Sequence, residues 1–300
     1  MRHPAGAPAM ANSQSPATLQ CGRFQLVLER PLLMGIVNVT PDSFSDGGRF
    51  LDHGRALEHA RQLVAEGADI LDIGGESSRP GAEPVTQDEE LRRVMPLIEA
   101  LAELPVPLSI DTVKPAVMRR VLAAGASIIN DISALATPGA FEAIADSDAA
   151  VVLMHMQGEP RTMQQAPVYD DVVAEVKGFL AERIAAAHSH GIPAGRIAID
   201  PGFGFGKLLV HNLALLRHLA SFIELDCPLL VGMSRKSMLK GFSTRPMDQR
   251  LPASITAALL AVERGARIVR VHDVAATRDA LALWQAISVE AALSAPAAAG

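Results

Sequence analysis

The chain has 300 residues, of which 49% are hydrophobic and only 4% aromatic, so we expect a large aliphatic core in one stable domain. Its formal net charge is −6 with charges of mixed sign, and it has no basic stripe of the kind that binds nucleic acid. No run approaches the ~20 apolar residues of a membrane span, and the N-terminal residues lack the apolar stretch of a secretory signal. These features predict a soluble, cytoplasmic protein without nucleic-acid or membrane partners.

The two cysteines, Cys21 and Cys227, lie far apart in the sequence, and neither belongs to a CxxC motif. A disulfide framework is therefore not expected. We predict two reduced, partly buried thiols.

The two ends of the chain, residues 1–20 and 294–300, are rich in Ala, Pro and Ser and are predicted to be disordered tails. A single domain is expected between them, over residues 21–293. At its start, residues 23–29 alternate apolar and polar side chains. This alternation predicts one strand of a small hairpin that closes one end of the fold.

Eight short apolar segments follow one another, separated by stretches with helical periodicity. They are continuously apolar, as expected of strands that are covered on both faces. The predicted strands are residues 32–37, 69–73, 108–110, 127–129, 149–154, 196–199, 229–231 and 267–271. The predicted helices are residues 53–66, 87–104, 115–124, 172–191, 213–222, 253–264 and 275–287. Several of these helices precede a Gly-Ala pair, which suits a helix end.

Strands that alternate with helices require parallel pairing through right-handed crossovers. A (β/α)8 TIM barrel of the α/β class meets this requirement without an exposed edge, at a typical length of ~250 residues. A doubly wound open sheet is the alternative, but it binds its ligand at one switch point. Here polar clusters follow nearly every predicted strand. The barrel is therefore the favoured fold, and its mouth is the predicted site.

Two carboxylates, Asp111 and Asp200, come directly after predicted strands. Each could cap a helix or lie in solvent. In a pocket, each could instead accept hydrogen bonds from the guanidine-like N–H edge of a planar heterocycle. Asn130 follows another strand and could donate and accept beside them, or it could satisfy a turn.

The glycine-rich run at residues 200–207 matches neither GxGxxG nor a P-loop, so a nucleotide-phosphate site is not predicted. Its glycines allow the backbone to approach a ligand closely. Phe203 and Phe205 could face an aromatic ring. Lys207 is interpreted as a solvated loop lysine.

Positive and hydroxyl groups gather after the last two predicted strands. Ser234 lies where a helix N-terminus favours an anion, and Lys236 could donate to a ring carbonyl or nitrogen. A capped helix with two surface cations is the alternative. Arg270 and His272 share one face of their strand and suit a phosphate, unless His272 is a structural histidine.

Metal ligands are scarce in this pattern. Asn38 is a candidate oxygen ligand for Mg²⁺, which it would hold jointly with substrate phosphates and water. His188 and His190 form an HxH pair at a predicted helix end, where a structural or surface role is expected. His155 lacks a second histidine or cysteine ligand, so a transition-metal site is not predicted.

The polar clusters, taken together, resemble those of the dihydropteroate synthases, the pterin-binding enzymes of folate synthesis. The matching motifs are MGIVNVTPDSFSDGG, DIGGESSRPGAEPV, SIDT, INDIS, VLMHMQGEPRTMQ, DPGFGFGK, VGMSRKSML and VRVHDV, in the order of that family. Each motif is modest on its own, but the ordered set is specific. It extends over residues 33–287.

The resemblance implies a role for each matching residue. The pterin would be held by Asp111, Asn130, Asp200, Lys236 and Arg270. The pyrophosphate would be bound by Asn38, Arg270 and His272, with Asn38 as the Mg²⁺ ligand. The p-aminobenzoate site would consist of Ser78, Arg79, Phe205 and Ser234, with Ser78 standing where the family usually has Thr. The catalytic set implied is Asn38, Asp111, Asp200, Lys236, Arg270 and His272.

The same resemblance implies the reaction and the partners. Dihydropterin pyrophosphate and p-aminobenzoate would condense to dihydropteroate by an SN1-like route with Mg²⁺ as cofactor, and sulfonamides would compete as inhibitors. A homodimer through outer helices late in the barrel is also implied. The alternatives are a methyltetrahydrofolate-dependent methyltransferase on the same barrel and a catalytically silent pterin-binding paralogue. The NVTPDSFSDGG and SSRPG loops argue against the methyltransferase, and the presence of Asn38, Arg79, Lys236 and His272 argues against the silent paralogue.

Overall fold

The computed structural model describes residues 18–39, 49–79, 81–242, 246 and 249–288. Its strands are β1 (Thr18–Cys21), β2 (Phe24–Val27), β3 (Leu32–Asn38), β4 (Ile70–Gly74), β5 (Leu108–Asp111), β6 (Ile128–Asp131), β7 (Ala150–Met154), β8 (Ile197–Asp200), β9 (Leu230–Val231) and β10 (Ile268–Val271). Its α-helices are α1 (Arg49–Ala65), α2 (Gln87–Leu101), α3 (Pro115–Ala123), α4 (Ala140–Ala145), α5 (Val172–Ser189), α6 (Leu209–Arg217), α7 (Leu251–Val262) and α8 (Val274–Ser288).

The strands β3 to β10 form a parallel barrel. They pair in the order β8-β7-β6-β5-β4-β3-β10-β9, and a parallel bridge between Ile199 and Leu229 joins β8 to the segment before β9. This bridge closes the ring that an open sheet would leave with two edges. The predicted TIM barrel is confirmed, and the doubly wound alternative is wrong.

A small hairpin closes the amino-terminal end of the barrel, as predicted. Strands β1 and β2 pair antiparallel, and Leu19 and Cys21 project into an apolar cluster inside the barrel. The barrel strands contribute Leu32, Met34, Ile70, Ile128, Ala150, Val152, Ala198, Leu230 and Ile268 to this cluster. Leu19 is only 1% exposed, and burying a leucine stabilises a fold by roughly 2 kcal/mol. The hairpin therefore plugs this end of the barrel.

The beginning of the chain corrects one boundary. Thr18 already belongs to β1, so the predicted tail through residue 20 ends too late. The β1 residues are ordered because they pair with β2 and pack against the barrel interior. The rest of that tail and the tail at residues 294–300 lie outside the described residues.

The Gly-Ala pairs end helices as the sequence predicts. Gly67, Gly125 and Gly265 have φ angles of 96°, 109° and 98°, a left-handed conformation that glycine adopts without steric cost. After α1, for example, the N–H of Ala68 donates to the carbonyl of Leu63 at 2.9 Å, which satisfies a helix-end carbonyl. Each pair therefore returns the chain sharply towards the next strand.

Two helices differ from the prediction. The short α4 was not predicted, because its six residues present too few turns for a clear apolar stripe. The predicted helix over 213–222 is instead α6, which begins at Leu209, followed by a 3-10 helix over Leu219–Leu225. The earlier start follows from Asn212, whose side chain donates to the carbonyls of Lys207 and Leu208.

Both cysteines are buried free thiols, as predicted. Burial raises the pKa of each to about 12, so neither is a thiolate at neutral pH. Within the described part of the chain, no helix has the length and apolar character needed to cross a bilayer.

Candidate active site

The carboxyl ends of the barrel strands surround a cavity of about 440 Å³. Every residue that the family resemblance assigns to the site lines it: Asn38, Ser78, Arg79, Asp111, Asn130, Asp200, Phe205, Ser234, Lys236, Arg270 and His272. Its apolar walls come from Ile36, Ile132, Met154 and Met163. Residues from strands far apart in the sequence therefore share one concave space lined by both polar and apolar groups.

Arg270 connects the polar groups at the floor of the cavity. Its Nη2 donates to Asp111 Oδ2 at 3.3 Å, and its Nε donates to Asp72 Oδ2 at 2.6 Å. Asp72 also accepts from Ser109 Oγ at 2.6 Å and from Asn130 Nδ2 at 3.3 Å. Two predicted site residues, Arg270 and Asn130, are thus fixed by one carboxylate beneath the cavity.

Asp72 is a residue that the sequence reasoning missed. It lies in the middle of β4, within the predicted strand at residues 69–73, and is completely buried. A lone carboxylate in a strand covered on both faces must find a partner, because an unpaired buried charge is strongly unfavourable. That rule marks Asp72 in the sequence, although it does not identify Arg270 as the partner.

The Asp111 carboxyl is poised between its two protonation states. Burial raises its pKa to about 7, the charge of Arg270 opposes the shift, and the negative charges of Asp72 and Glu90 add to it. A ligand that brings N–H donors to this carboxyl favours its ionised form. Asp111 is therefore suited to accept hydrogen bonds from a ligand edge that carries N–H donors.

Asp200 and Lys236 face the same cavity from β8 and from the loop after β9. Burial raises the pKa of Asp200, while Lys236 and the N–H of Gly202, at 2.7 Å from Asp200 Oδ1, act to lower it. Burial lowers the pKa of Lys236 to about 8, and Asp200 opposes that shift. The Lys236 Nζ donates to the carbonyl of Phe203 at 2.6 Å and lies 4.5 Å from the centre of the Phe205 ring.

Lys207 corrects the prediction of a solvated loop lysine. It is only 2% exposed, and its Nζ lies 2.9 Å from His155 Nδ1, 3.0 Å from the carbonyl of Gly202 and 2.9 Å from that of Phe205. Burial lowers its pKa to about 7. Lys207 holds the glycine-rich loop in place, because its ammonium donates to the carbonyl of Gly202 before Phe203 and to that of Phe205 after it.

The two phenylalanines of the glycine-rich loop have different positions. Phe205 lines the cavity, as predicted. Phe203 is fully buried in the core outside the strands and does not line the cavity. Only Phe205 can therefore present its ring to a ligand.

One corner of the cavity brings Ser234, Arg270 and His272 together. His272 Nδ1 lies 3.0 Å from Ser234 Oγ. Arg270 and His272 are two positions apart at the end of β10, so their side chains point to the same side, and both line the cavity. Burial lowers the pKa of His272 to about 3, and the charges of Arg235 and Arg270 lower it further. His272 is therefore neutral near pH 7, and the arginines supply the positive charge.

Arg235 also lines the cavity, although sequence reasoning assigned it no role. Its guanidinium binds Asp273 through both Nε, at 3.1 Å, and Nη2, at 2.5 Å. Its backbone has a φ of 60° and donates to Ser254 Oγ at 3.0 Å. These contacts join the loop that carries Ser234 to the loop that carries His272. In the sequence, the only indication of a role for Arg235 is its position between the predicted site residues Ser234 and Lys236.

The rim of the cavity carries the loop after β4. Ser78 is half-buried and Arg79 is exposed at the mouth. The remaining parts of the MGIVNVTPDSFSDGG and DIGGESSRPGAEPV motifs, residues 40–48 and 80, lie outside the described residues.

The two histidines of the HxH pair lie away from the cavity. His188 and His190 are exposed at the end of α5 and do not line the cavity. Among the described residues, no cluster of three or more His, Cys, Asp or Glu side chains could hold a metal ion.

A family model described as "Pterin binding enzyme" matches residues 34–272, from β3 to just beyond β10. The chain belongs to the pterin-binding enzyme family. Among curated relatives, the dihydropteroate synthase of Escherichia coli strain K12 is 51% identical over 271 residues, which are 90% of this chain and 94% of that protein.

Solved structures of the pterin-binding family give the same result. The Xanthomonas albilineans dihydropteroate synthase with 4-aminobenzoic acid is 55% identical, has a TM-score of 0.86, and is matched over 91% of this chain and 98% of that one. The Burkholderia cenocepacia dihydropteroate synthase complexed with 7,8-dihydropteroate is 54% identical, with a TM-score of 0.82 and coverages of 91% and 97%. A Yersinia pestis dihydropteroate synthase with a sulfonamide drug complex is 47% identical, with a TM-score of 0.85 and coverages of 90% and 98%.

Proposed function

We propose that the protein is a dihydropteroate synthase, a transferase of folate biosynthesis. It condenses 6-hydroxymethyl-7,8-dihydropterin pyrophosphate with p-aminobenzoate and releases 7,8-dihydropteroate and pyrophosphate. The observation that carries this proposal is one cavity in which two carboxylates and a lysine face an arginine–histidine corner. Its relatives at about half identity over most of the chain are dihydropteroate synthases.

The pterin ring is assigned to the floor of the cavity. Asp111 and Asp200 accept hydrogen bonds from the N–H groups of its guanidine-like edge, and Asn130 and Lys236 donate to its nitrogen and carbonyl acceptors. Arg270 lies along the ring while Asp72 holds its guanidinium. The apolar walls exclude water from both ring faces, which strengthens each of these polar contacts.

The p-aminobenzoate is assigned to the outer part of the cavity. Phe205 offers a ring face for stacking, and Ser78, Arg79 and Ser234 supply donors for the carboxylate or the amine. Ser78 retains the hydroxyl of the threonine usual at this position in the family but lacks its methyl group. The outer position leaves the amine directed inward, towards the carbon that carries the pyrophosphate.

The pyrophosphate is assigned to the corner of Asn38, Arg270 and His272. The strand register sets Asn38 beside Gly74 and Gly74 beside Asp111. Because Gly74 has no side chain, the Asn38 amide and the Asp111 carboxylate face one shared space. This oxygen donor set fits Mg²⁺ only together with phosphate oxygens and water, which is how Mg²⁺ usually binds. When bound, Mg²⁺ neutralises negative charge on the leaving pyrophosphate.

The chain's residues favour departure of the pyrophosphate before the amine attacks. As the C–O bond breaks, its electron pair leaves with the pyrophosphate, and Arg270 stabilises the added negative charge. The carbon becomes cationic and shares its charge with the pterin, where Asp111 and Asp200 stabilise it. The neutral arylamine then forms the C–N bond, and the acidic arylammonium that results loses one proton to water. No strong base is required because the attacking amine is uncharged near neutral pH.

This order of steps predicts positional isotope exchange in the pyrophosphate substrate. The oxygen that joins the methylene carbon to phosphorus is labelled with ¹⁸O, and p-aminobenzoate is omitted. The label should then move to non-bridging positions on the same phosphorus while the substrate is bound. Phosphorus NMR of the recovered substrate measures this movement, with substrate incubated without enzyme as the control. A label that moves only when the amine is present would contradict the SN1-like route.

The proposed activity itself is tested by measuring pyrophosphate release. Release should depend on both p-aminobenzoate and Mg²⁺, and a sulfonamide should compete with p-aminobenzoate but not with the pterin substrate. A silent paralogue would release no pyrophosphate. A methyltransferase would transfer methyl groups from methyltetrahydrofolate to a corrinoid without a pyrophosphate product, and either outcome would overturn the proposal.

We further propose a cytoplasmic homodimer. The outer face of α8 supports the dimer, since Leu283 and Ile287 lie one helical turn apart and are 65% and 74% exposed. Two such large apolar side chains on one face suit a protein interface. Sedimentation analysis should give the mass of two chains, and a monomer at micromolar concentration would contradict this assembly.

A further inference from the structure

Lys114 joins the loop after β4 to the loop after β5. It lies just beyond Asp111 at the end of β5, in the position that precedes α3. Its Nζ donates to Glu76, which lines the cavity, and to Glu90 Oε2 on α2 at 2.6 Å. The lysine therefore bridges the loop assigned to p-aminobenzoate and the loop that carries a pterin carboxylate.

The base of the loop after β4 is held closely against α2. Arg93 Nη1 donates to the carbonyl of Gly75 at 2.8 Å. A Cβ atom on Gly75 would lie 2.7 Å from Val94 Cγ1 and 3.1 Å from Glu90 Cγ, so the backbone has no room to move towards the helix. The next residue, Glu76, is held by the ammonium of Lys114. The loop that carries Ser78 thus leaves the barrel from a fixed base.

The cluster of Glu76, Glu90 and Lys114 depends on the lysine. Two carboxylates share one ammonium, and the Glu90 side chain is only 1% exposed. Glu90 Oε1 is buried and has no hydrogen-bond partner among the described residues. Burial acts to lower the pKa of Lys114, but its hydrogen bonds to Glu76 and Glu90 raise it overall. Without the lysine charge the two carboxylates would repel one another and move apart.

We propose that Lys114 is a positioning residue that couples the two substrate subsites. It transmits the position of the Asp111 loop to the loop of Ser78 and Arg79 through Glu76. Lys114 does not line the cavity, so its effect on either substrate is indirect. The proposal rests on the proposed function, because that function assigns the pterin and p-aminobenzoate to these two loops.

Lys114→Met keeps the length of the side chain and removes its charge. We expect the KM for p-aminobenzoate to rise about tenfold, within the usual range of coupling between sites. The affinity for the pterin measured in the absence of p-aminobenzoate should change less than about twofold, because Asp111 and Asp200 remain in place. In the wild type a bound pterin should strengthen sulfonamide binding, and this gain should disappear in Lys114→Met. Steady-state kinetics and calorimetric titrations with and without the pterin measure these quantities.

Lys177→Met is the matched control. Lys177 pairs with Glu224 at 2.7 Å, and its side chain is 25% exposed against 22% for Lys114. It lies on α5, however, and its partner Glu224 does not line the cavity, whereas Glu76 does. This variant should leave both KM values unchanged. Lys114→Arg, which keeps the bridging charge, should restore the KM for p-aminobenzoate. Glu76→Gln offers a second test that does not depend on the folding of Lys114→Met, and it should raise the same KM.

The proposal would be overturned by an unchanged KM for p-aminobenzoate in Lys114→Met, or by equal changes in the KM values of both substrates. Equal changes would indicate general destabilisation instead of coupling. If wild-type protein lacks pyrophosphate release, the proposed function fails. If the wild type is active and its sulfonamide binding does not respond to pterin, only the coupling fails.

Discussion

Asp200→Asn is expected to lower kcat/KM for the dihydropterin pyrophosphate by about 100- to 1,000-fold, as loss of one partner of a buried charged hydrogen bond does. The asparagine oxygen can still accept from the N–H of Gly202, which lies 2.7 Å from Asp200 Oδ1, so the local turn survives. The new amide nitrogen would face the N–H donors of the pterin and, being a donor itself, could not accept a hydrogen bond from them. Steady-state kinetics at saturating p-aminobenzoate measures the effect.

Asp131→Asn is the control for this experiment. Asp131 is also fully buried in the barrel, and its two carboxylate oxygens accept from the N–H groups of Ser133 and Leu135. It does not line the cavity, so this variant should lower the melting temperature and leave kcat/KM largely intact. A full kcat/KM in Asp200→Asn would remove Asp200 from the pterin site.

Asp72→Asn is expected to impair both stability and pterin binding without touching the substrate. The neutral amide leaves the buried Arg270 charge with only its weaker contact to Asp111, at 3.3 Å. Breaking a buried ion pair costs roughly 3–5 kcal/mol when a partner is removed, and an asparagine that keeps the shape should cost about 2 kcal/mol. We expect the KM for the pterin pyrophosphate to rise about 10- to 100-fold, because Arg270 and Asn130 lose their fixed positions.

The pH profile separates this role from simple destabilisation. The charge of Asp72 contributes to the raised pKa of Asp111, which is about 7 after the larger effect of burial. Removing that charge lowers the pKa of Asp111. Since pterin binding requires the ionised carboxylate, affinity rises with pH through this pKa. The acidic limb of the pH profile of Asp72→Asn should therefore move to lower pH.

Asp69→Asn is the matched control for Asp72→Asn. Asp69 directly precedes the same strand, β4, but pairs with Arg30 at 2.6 Å and accepts from the N–H of Leu33 at the closed end of the barrel. The Asp69→Asn variant should be less stable in urea unfolding but keep the wild-type KM for the pterin pyrophosphate and the wild-type pH profile. If Asp72→Asn and Asp69→Asn gave the same kinetics, Asp72 would have no role in positioning Arg270.

Much of the site is readable from the sequence because a parallel barrel brings all its strand ends together. Once the apolar segments are taken as eight consecutive strands, Asn38 and His272 must face the same mouth, although most of the chain separates them. The Gly-Ala pairs mark the helix ends for a similarly local reason, since only glycine takes the left-handed conformation there without steric cost.

The partners of buried charges are not readable in the same way. Asp72 and Arg270 are 198 positions apart, and their contact depends on the register and the side-chain rotamers of strands that meet only after the barrel closes. The sequence predicts a solvated lysine at Lys207, because nothing in it reveals that His155 and two loop carbonyls surround this side chain. The contacts of Lys114 cannot be read from the sequence either, since its partners Glu76 and Glu90 lie in the loop after β4 and on α2.

A crystal structure of the protein with a bound pterin tests the central claim most directly. The bicyclic ring should lie within the cavity, with its guanidine-like edge in hydrogen-bond contact with Asp111 and Asp200 and with Asn130 and Lys236 beside it. A pterin that binds outside the barrel mouth, or that leaves both carboxylates without a ligand contact, would contradict the assignment of this cavity to pterin chemistry.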